Sequence, residues 1–103
     1  METNNEKVEI EIIEIEIFAR ENKPVPKGKK YKIRVDKENF DIPTETITGQ
    51  GILDLVKKSS DSYNLYQHFH GAQTKIIKPD DIVDLTAPGV ERFSTMKIEN
   101  TEG

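Results

Sequence analysis

The tightest constraint on the fold of this chain is the spacing of its apolar residues between Tyr31 and Phe93. Tyr31, Ile33 and Val35 alternate with Lys32 and Arg34, which gives a first strand with one apolar face. Asp36-Lys37-Glu38-Asn39 supplies turn residues, and Phe40 and Ile42 alternate before Pro43, which cannot donate to a sheet ladder. Together these segments predict a hairpin. Thr48 is the expected helix N-cap, followed by Ile52, Leu53, Leu55 and Val56 at helical spacing. Lys57 and Lys58 are expected in the last turn, where cations suit the helix dipole. Ser59-Ser60-Asp61-Ser62 breaks the helix. A third strand is expected over Asn64–His70, ended by Gly71, and a short fourth over Thr74–Ile77. The last strand is expected over Ile82–Thr86, with Val83 and Leu85 sharing a face. Ala87-Pro88-Gly89 then fits a turn with Pro second and Gly third.

A hairpin, one crossing helix and further strands define an α+β fold in the β-grasp order. Another small α+β roll is the alternative. A right-handed crossover would place a later strand parallel to the first. The expected organisation is an arm over residues 1–18, a linker over 19–29, the folded domain over 30–93 and a flexible tail over 94–103. A core of this size buries only about 60% of the surface its unfolded chain exposes, so modest stability is expected.

Composition narrows the functional classes. The 103 residues carry a net charge of −4, which repels phosphate backbones and argues against nucleic-acid binding. The sequence has no cysteine, which excludes disulfides, thiolate metal sites and a thiol nucleophile. Such a chain cannot carry a thioester on its own side chains. No apolar run approaches ~18 residues and no charged-then-apolar leader opens the sequence, so membrane insertion is not expected and a cytoplasmic location is the default.

The arm has its own pattern. Val8, Ile10 and Ile12 alternate with Glu9 and Glu11, and then the parity flips to Ile13, Ile15 and Ile17 around Glu14 and Glu16. This predicts a strand with a one-residue phase shift, as a β-bulge would give. Such an arm can pair with its own sheet edge or add to a neighbouring molecule, forming an oligomer or filament. A disordered acidic arm is the third option. Pro24 and Pro26 lie in the linker that separates it from the domain.

Tyr66, His68 and His70 fall on one parity of the third strand and form a candidate recognition patch; an exposed polar strand face is the plainer interpretation. The two histidines lack further ligands for a metal site, and none is expected. Asp80, Asp81 and Asp84 have no accompanying nucleophile or base, which argues against hydrolase chemistry. No cofactor motif is present, and Gly49, Gly51 and Gly71 form no phosphate cradle. The chain reads as a non-enzyme.

The segments KKYKIRVDKENFDI, ITGQGILDLV, YNLYQHFHG and IKPDDIVDLTAPGVERF together resemble the bacterial multiubiquitin-type ubiquitin-like domain. The resemblance covers roughly Lys29–Thr95, and Val83-Asp84-Leu85 with Pro88-Gly89-Val90-Glu91-Arg92-Phe93 is its most specific part. It implies a ubiquitin-like β-grasp fold and a modifier that belongs to a bacterial ubiquitination-like system. The implied partners are ubiquitin-activating-like and ubiquitin-conjugating-like enzymes, a deubiquitinase-like protease and target proteins. Antiviral defence is the implied setting. The family often carries several domains in tandem, whereas one is legible here. Related modifiers usually end in two glycines, whereas this sequence has Glu102-Gly103.

On that resemblance the reactive group is the carboxylate of Gly103, with Glu102 beside it. An activating enzyme would adenylate it and pass it to an enzyme cysteine, from which a target amine takes it as an isopeptide bond or a hydroxyl takes it as an ester. Glycine lacks Cβ and lets enzyme groups approach its carbonyl. Ten residues from Ser94 can span roughly 33 Å when extended. Arg92 and Phe93 are expected to anchor the start of this tail. Two further interpretations are a structural protein assembling through the arm, and a sulfur carrier with a terminal thiocarboxylate.

Overall fold

A computed structural model describes residues 11–99. Val8 and Ile10 of the arm, and Glu102 and Gly103 of the tail, lie outside them. The element order is β1 (Ile12–Glu14), α1 (Ile15–Arg20), β2 (Lys30–Val35), β3 (Glu38–Ile42), β4 (Thr46–Thr48), α2 (Gly49–Leu55), β5 (Tyr63–Phe69), β6 (Gln73–Ile77), β7 (Ile82–Asp84) and β8 (Val90–Lys97). The main sheet runs β1-β2-β8-β5-β6, with β3 also paired to β2. β2 and β8 are parallel and meet at Val35 and Phe93. This is the mixed sheet and packed helix of a ubiquitin-like β-grasp, as the apolar spacing predicts.

The core lies between this sheet and α2. Tyr31, Ile33 and Val35 of β2, Leu65 of β5, Ile77 of β6 and Phe93 of β8 pack with Ile52 and Leu53 of α2. Phe93 is 0% exposed. Fully burying a side chain of this size stabilises a domain by about 1.5–3 kcal/mol. Thr48 caps α2 as expected, its hydroxyl accepting from the Gly51 N–H at 3.0 Å. The Gly49 N–H donates to the Asp81 carbonyl at 2.9 Å, and the Gln50 N–H to that of Pro79 at 2.8 Å. This stitching brings backbones so close that a Cβ on Gly49 would sit 2.2 Å from the Lys78 carbonyl oxygen. The position therefore requires glycine.

Four sequence expectations are corrected. First, the arm is not one strand. It pairs with its own β2, in parallel register from Ile12–Lys30 to Glu14–Lys32, and then becomes helix at Ile15. Farther along, β8 is the neighbour of β2, so the arm has no ladder to continue on. The parity flip is thus a change of period from two to 3.6 rather than a bulge. Ile15 and Ala19, four apart, share the buried stripe, and Glu16 pairs with Arg20 across one turn at 2.7 Å. Ile13 and Ile15 are spent in the core of their own molecule, while Ile12 and Ile17 are 42% and 45% exposed.

Second, α2 stops at Leu55, before the two lysines. The Lys57 N–H donates to the Asp54 carbonyl and the Lys58 N–H to that of Leu53, both at 3.1 Å. This is a Schellman motif, with Lys57 at φ 58° in the left-handed position that glycine usually fills. Third, Ile82–Thr86 is not the last strand. Only Ile82–Asp84 is extended, and it pairs with β4 in a separate small sheet. Fourth, the sheet does not end at Phe93. β8 continues to Lys97, so four of the ten residues expected in the tail, Ser94 to Lys97, are strand. Gly89, at φ 81°, turns the chain into this strand.

Candidate functional site

The sheet face away from α2 and the end of β8 are where chemistry-bearing residues gather. Register fixes this face. Tyr66 stands opposite Ser94 and Ile76, and His68 opposite Arg92 and Thr74. In-register partners share a side, so Tyr66, His68, Arg92, Ser94 and Ile76 project together, joined by Met96 from the same parity of β8. Arg34 and Lys32, which alternate with the buried residues of β2, continue the face.

The polar part of the face is tightly paired. His68 Nε2 lies 2.7 Å from Ser94 Oγ. Burial disfavours the imidazolium and Arg92 repels it, so His68 sits below the ordinary histidine range and is neutral near pH 7. Arg34 grips Glu16 of α1 through two bonds, Nε to Oε1 at 3.0 Å and Nη2 to Oε2 at 2.6 Å. Burial works against the Glu16 charge, but the bond to Arg34 and the charges of Arg34, Arg20 and Arg92 outweigh it and hold the carboxyl low. The same pairing raises the Arg34 pKa. α1 is therefore fastened over one side of the face, leaving β5, β6 and the end of β8 open.

The structure brings Tyr66 and His68 together but sets His70 apart. β5 ends at Phe69, and a bulge between His68 and Phe69 shifts the register against β8. His70 lies beyond it, its N–H donating to the Gly89 carbonyl at 2.8 Å and its Nδ1 3.3 Å from Glu91 Oε2. Arg92 and Phe93 occupy opposite faces of β8. Phe93 is buried in the core in the middle of β8, not at the start of a tail, while Arg92 belongs to the open face. Sequence reasoning missed Ile76, 48% exposed, and Met96, 62% exposed. The signal was available: Ile76 has the opposite parity to buried Ile77, and Met96 follows Ser94 by two. Assigning Ser94 and beyond to a flexible tail hid it.

The exit of the chain is equally defined. The Ile98 N–H donates to the Ser62 carbonyl at 2.8 Å, so the backbone is held one residue past β8. From Glu99 to Gly103 a chain can reach at most roughly 17 Å, about half the span expected from Ser94. Among the described residues, no group of three His, Asp or Glu side chains is arranged to hold a metal ion. No helix among them is long and apolar enough to cross a membrane.

Residues 31–98 match the model of the family described as multiubiquitin. The chain belongs to the multiubiquitin family. That match ends at Ile98, one residue past the end of β8. It begins at Tyr31, so β1 and α1 lie outside the matched residues, although Ile13 and Ile15 pack into the same core. No curated protein matches the chain, and no solved structure does.

Proposed function

We propose that this multiubiquitin domain is a protein modifier of a bacterial ubiquitination-like system, working in the cytoplasm and joined to targets through the carboxylate of Gly103. The observation that carries this reading is the exit of β8. The last strand lies in the middle of the sheet, is anchored by Phe93, and is held by hydrogen bonds as far as Ile98. The following residues therefore leave from a fixed point, a geometry suited to delivering a carboxylate into another protein's active site.

The chemistry belongs to partners. In an activating enzyme the carboxylate oxygen attacks the α-phosphorus of ATP and releases pyrophosphate. A thiolate of that enzyme then displaces AMP, forming the thioester. A conjugating enzyme accepts the acyl group by exchange, and a target amine finally displaces the thiol to give an amide. A deubiquitinase-like protease would reverse the last bond. The open face, with the apolar group Tyr66, Ile76 and Met96 beside His68, is the surface we assign to these enzymes, with His70 at its margin. The rigid Tyr66 ring supplies contact area there at little entropic cost, and the flexible thioether of Met96 adapts to the shape of a partner. Antiviral defence is the biological setting that this reading favours.

The test is an immunoblot of denatured, reduced extracts from the native host, comparing N-terminally tagged wild type with a Gly103 deletion. A ladder of slower species that disappears on deletion is the expected result. A ladder that persists in the deletion, or its absence in wild type with the partner enzymes present, overturns the modifier reading.

A further inference from the structure

β2 and β8 run parallel, but their backbones meet in register only at Val35 and Phe93. Immediately afterwards β2 turns away, because Asp36 adopts φ 57° and starts the hairpin into β3. The next outward-facing amide of β8 would be left without a strand partner. Asp36 fills that place twice. Its backbone N–H donates to the Phe93 carbonyl at 2.9 Å, and its carboxylate Oδ1 accepts the Thr95 N–H at 2.8 Å. The side chain thus supplies the acceptor that the departing backbone of β2 no longer provides.

The other carboxylate oxygen closes a polar knot around the same residue. Thr95 Oγ1 donates to Asp36 Oδ2 at 2.7 Å. The Lys58 ammonium donates to Asp36 Oδ2 at 3.1 Å and to Thr95 Oγ1 at 2.8 Å. That ammonium also lies 4.8 Å from the ring centroid of Tyr63, whose register partner is Lys97. The Schellman motif carries Lys58 to this position: Lys57 takes the left-handed conformation and folds the chain back at the end of α2. Two residues in a backbone region that non-glycine side chains rarely adopt, Asp36 and Lys57, thus both serve one contact. Lys58 and Asp36 are only 31% and 28% exposed, so solvent weakens the contact less than it does a surface ion pair.

We propose that Asp36 is a positioning residue that, with Lys58, fixes the point where the C-terminal segment leaves the sheet. Beyond Phe93, the clamp holds β8 on the β2 side while the Ile98–Ser62 bond holds it on the β5 side. Without the clamp, residues 95–98 hang on β5 alone, and the exit point moves upstream towards Ser94. The role in delivering Gly103 rests on the modifier reading above; the role in setting the exit does not.

The experiment is residue-resolved amide hydrogen exchange on the full chain, comparing wild type with Asp36→Ala, Asp36→Asn and Lys58→Met. In Asp36→Ala the Thr95 amide is expected to exchange at least tenfold faster, Met96 and Ile98 several-fold faster, and Leu65 and Phe93 at the wild-type rate. Asparagine keeps a carbonyl acceptor and tolerates the left-handed conformation, so Asp36→Asn should restore most Thr95 protection. Lys58→Met, which leaves the hairpin untouched, should give an intermediate effect and keeps the test open if Asp36→Ala does not fold. Unchanged exchange at Thr95 and Ile98 overturns the proposal. So does a uniform rise across the sheet, because that marks a general stabilising contact rather than a local clamp. Conjugate yield from the same variants is read separately: a wild type without a ladder sinks the modifier reading and leaves the exchange result standing.

Discussion

At the residue scale, two carboxylates combine partial burial with charge. For Glu16 and Asp36 burial opposes ionisation, yet Arg34 in one case and Thr95 with Lys58 in the other pull the carboxyl below its ordinary value. A group whose pKa is lower in the folded state binds protons more weakly there than in the unfolded chain. Its contribution is complete above the unfolded value and is lost as pH falls through the ordinary carboxylate range towards the folded value. The urea midpoint should therefore hold steady near neutral pH and drop on acidification below about pH 4.5. Glu16→Gln should lower the neutral-pH midpoint and flatten the acid limb. A Glu16→Gln variant with the wild-type acid slope would show that this pair contributes nothing to the fold. The pairing was not legible from the sequence, since nothing in the spacing of Glu16 and Arg34 marks them as neighbours. Their meeting depends on the arm turning helical. The face holding His68 was legible from parity, because Tyr66 and His68 stand one residue out of step with buried Leu65.

At the element scale, the arm is a structural part of the domain. Ile13 and Ile15 are 1% and 0% exposed, and at about 1.5–3 kcal/mol for each fully buried side chain they contribute roughly 3–6 kcal/mol. A domain of this size has a total stability of about 5–15 kcal/mol. A chain starting at Lys29 keeps all but the first elements of the sheet and spans the family match, yet it should lose most of its stability. The expected outcome is a poorly dispersed amide spectrum for residues 29–103 and native dispersion for residues 11–103. Equal dispersion and equal urea midpoints would show the arm to be dispensable. Sequence reasoning found the arm's apolar content but assigned the wrong period after Glu14. Local pattern cannot show that β8 already takes the next place beside β2. The same limit explains the error at β7 and β8. Ile82, Val83 and Leu85 look like a closing strand by local alternation, and only the long-range pairing with β4 assigns Ile82–Asp84 to the small sheet. The hairpin, the Thr48 cap and the turn at Gly89 were legible because each is encoded within four residues.

At the scale of the whole molecule, the sheet order is dominated by non-local partners. β1 meets β2 across the linker, and β2 meets β8 across nearly the whole domain. Loop closure must precede those contacts, which places refolding in the millisecond-to-second range rather than the microsecond range of helical bundles. Stopped-flow refolding checks this, and a microsecond relaxation would contradict the topology. The open face and the exit lie at opposite ends of the same dependence, since both are built on β8. The central position of β8 also has a consequence for biosynthesis. On the ribosome every other described element emerges first, so a nascent chain reaching Gly89 carries two half-sheets whose inner edges, on β2 and β5, face an empty slot. Only residues 90–97 fill it, so the last of the described strands to be translated is the one that joins the two halves of this sheet.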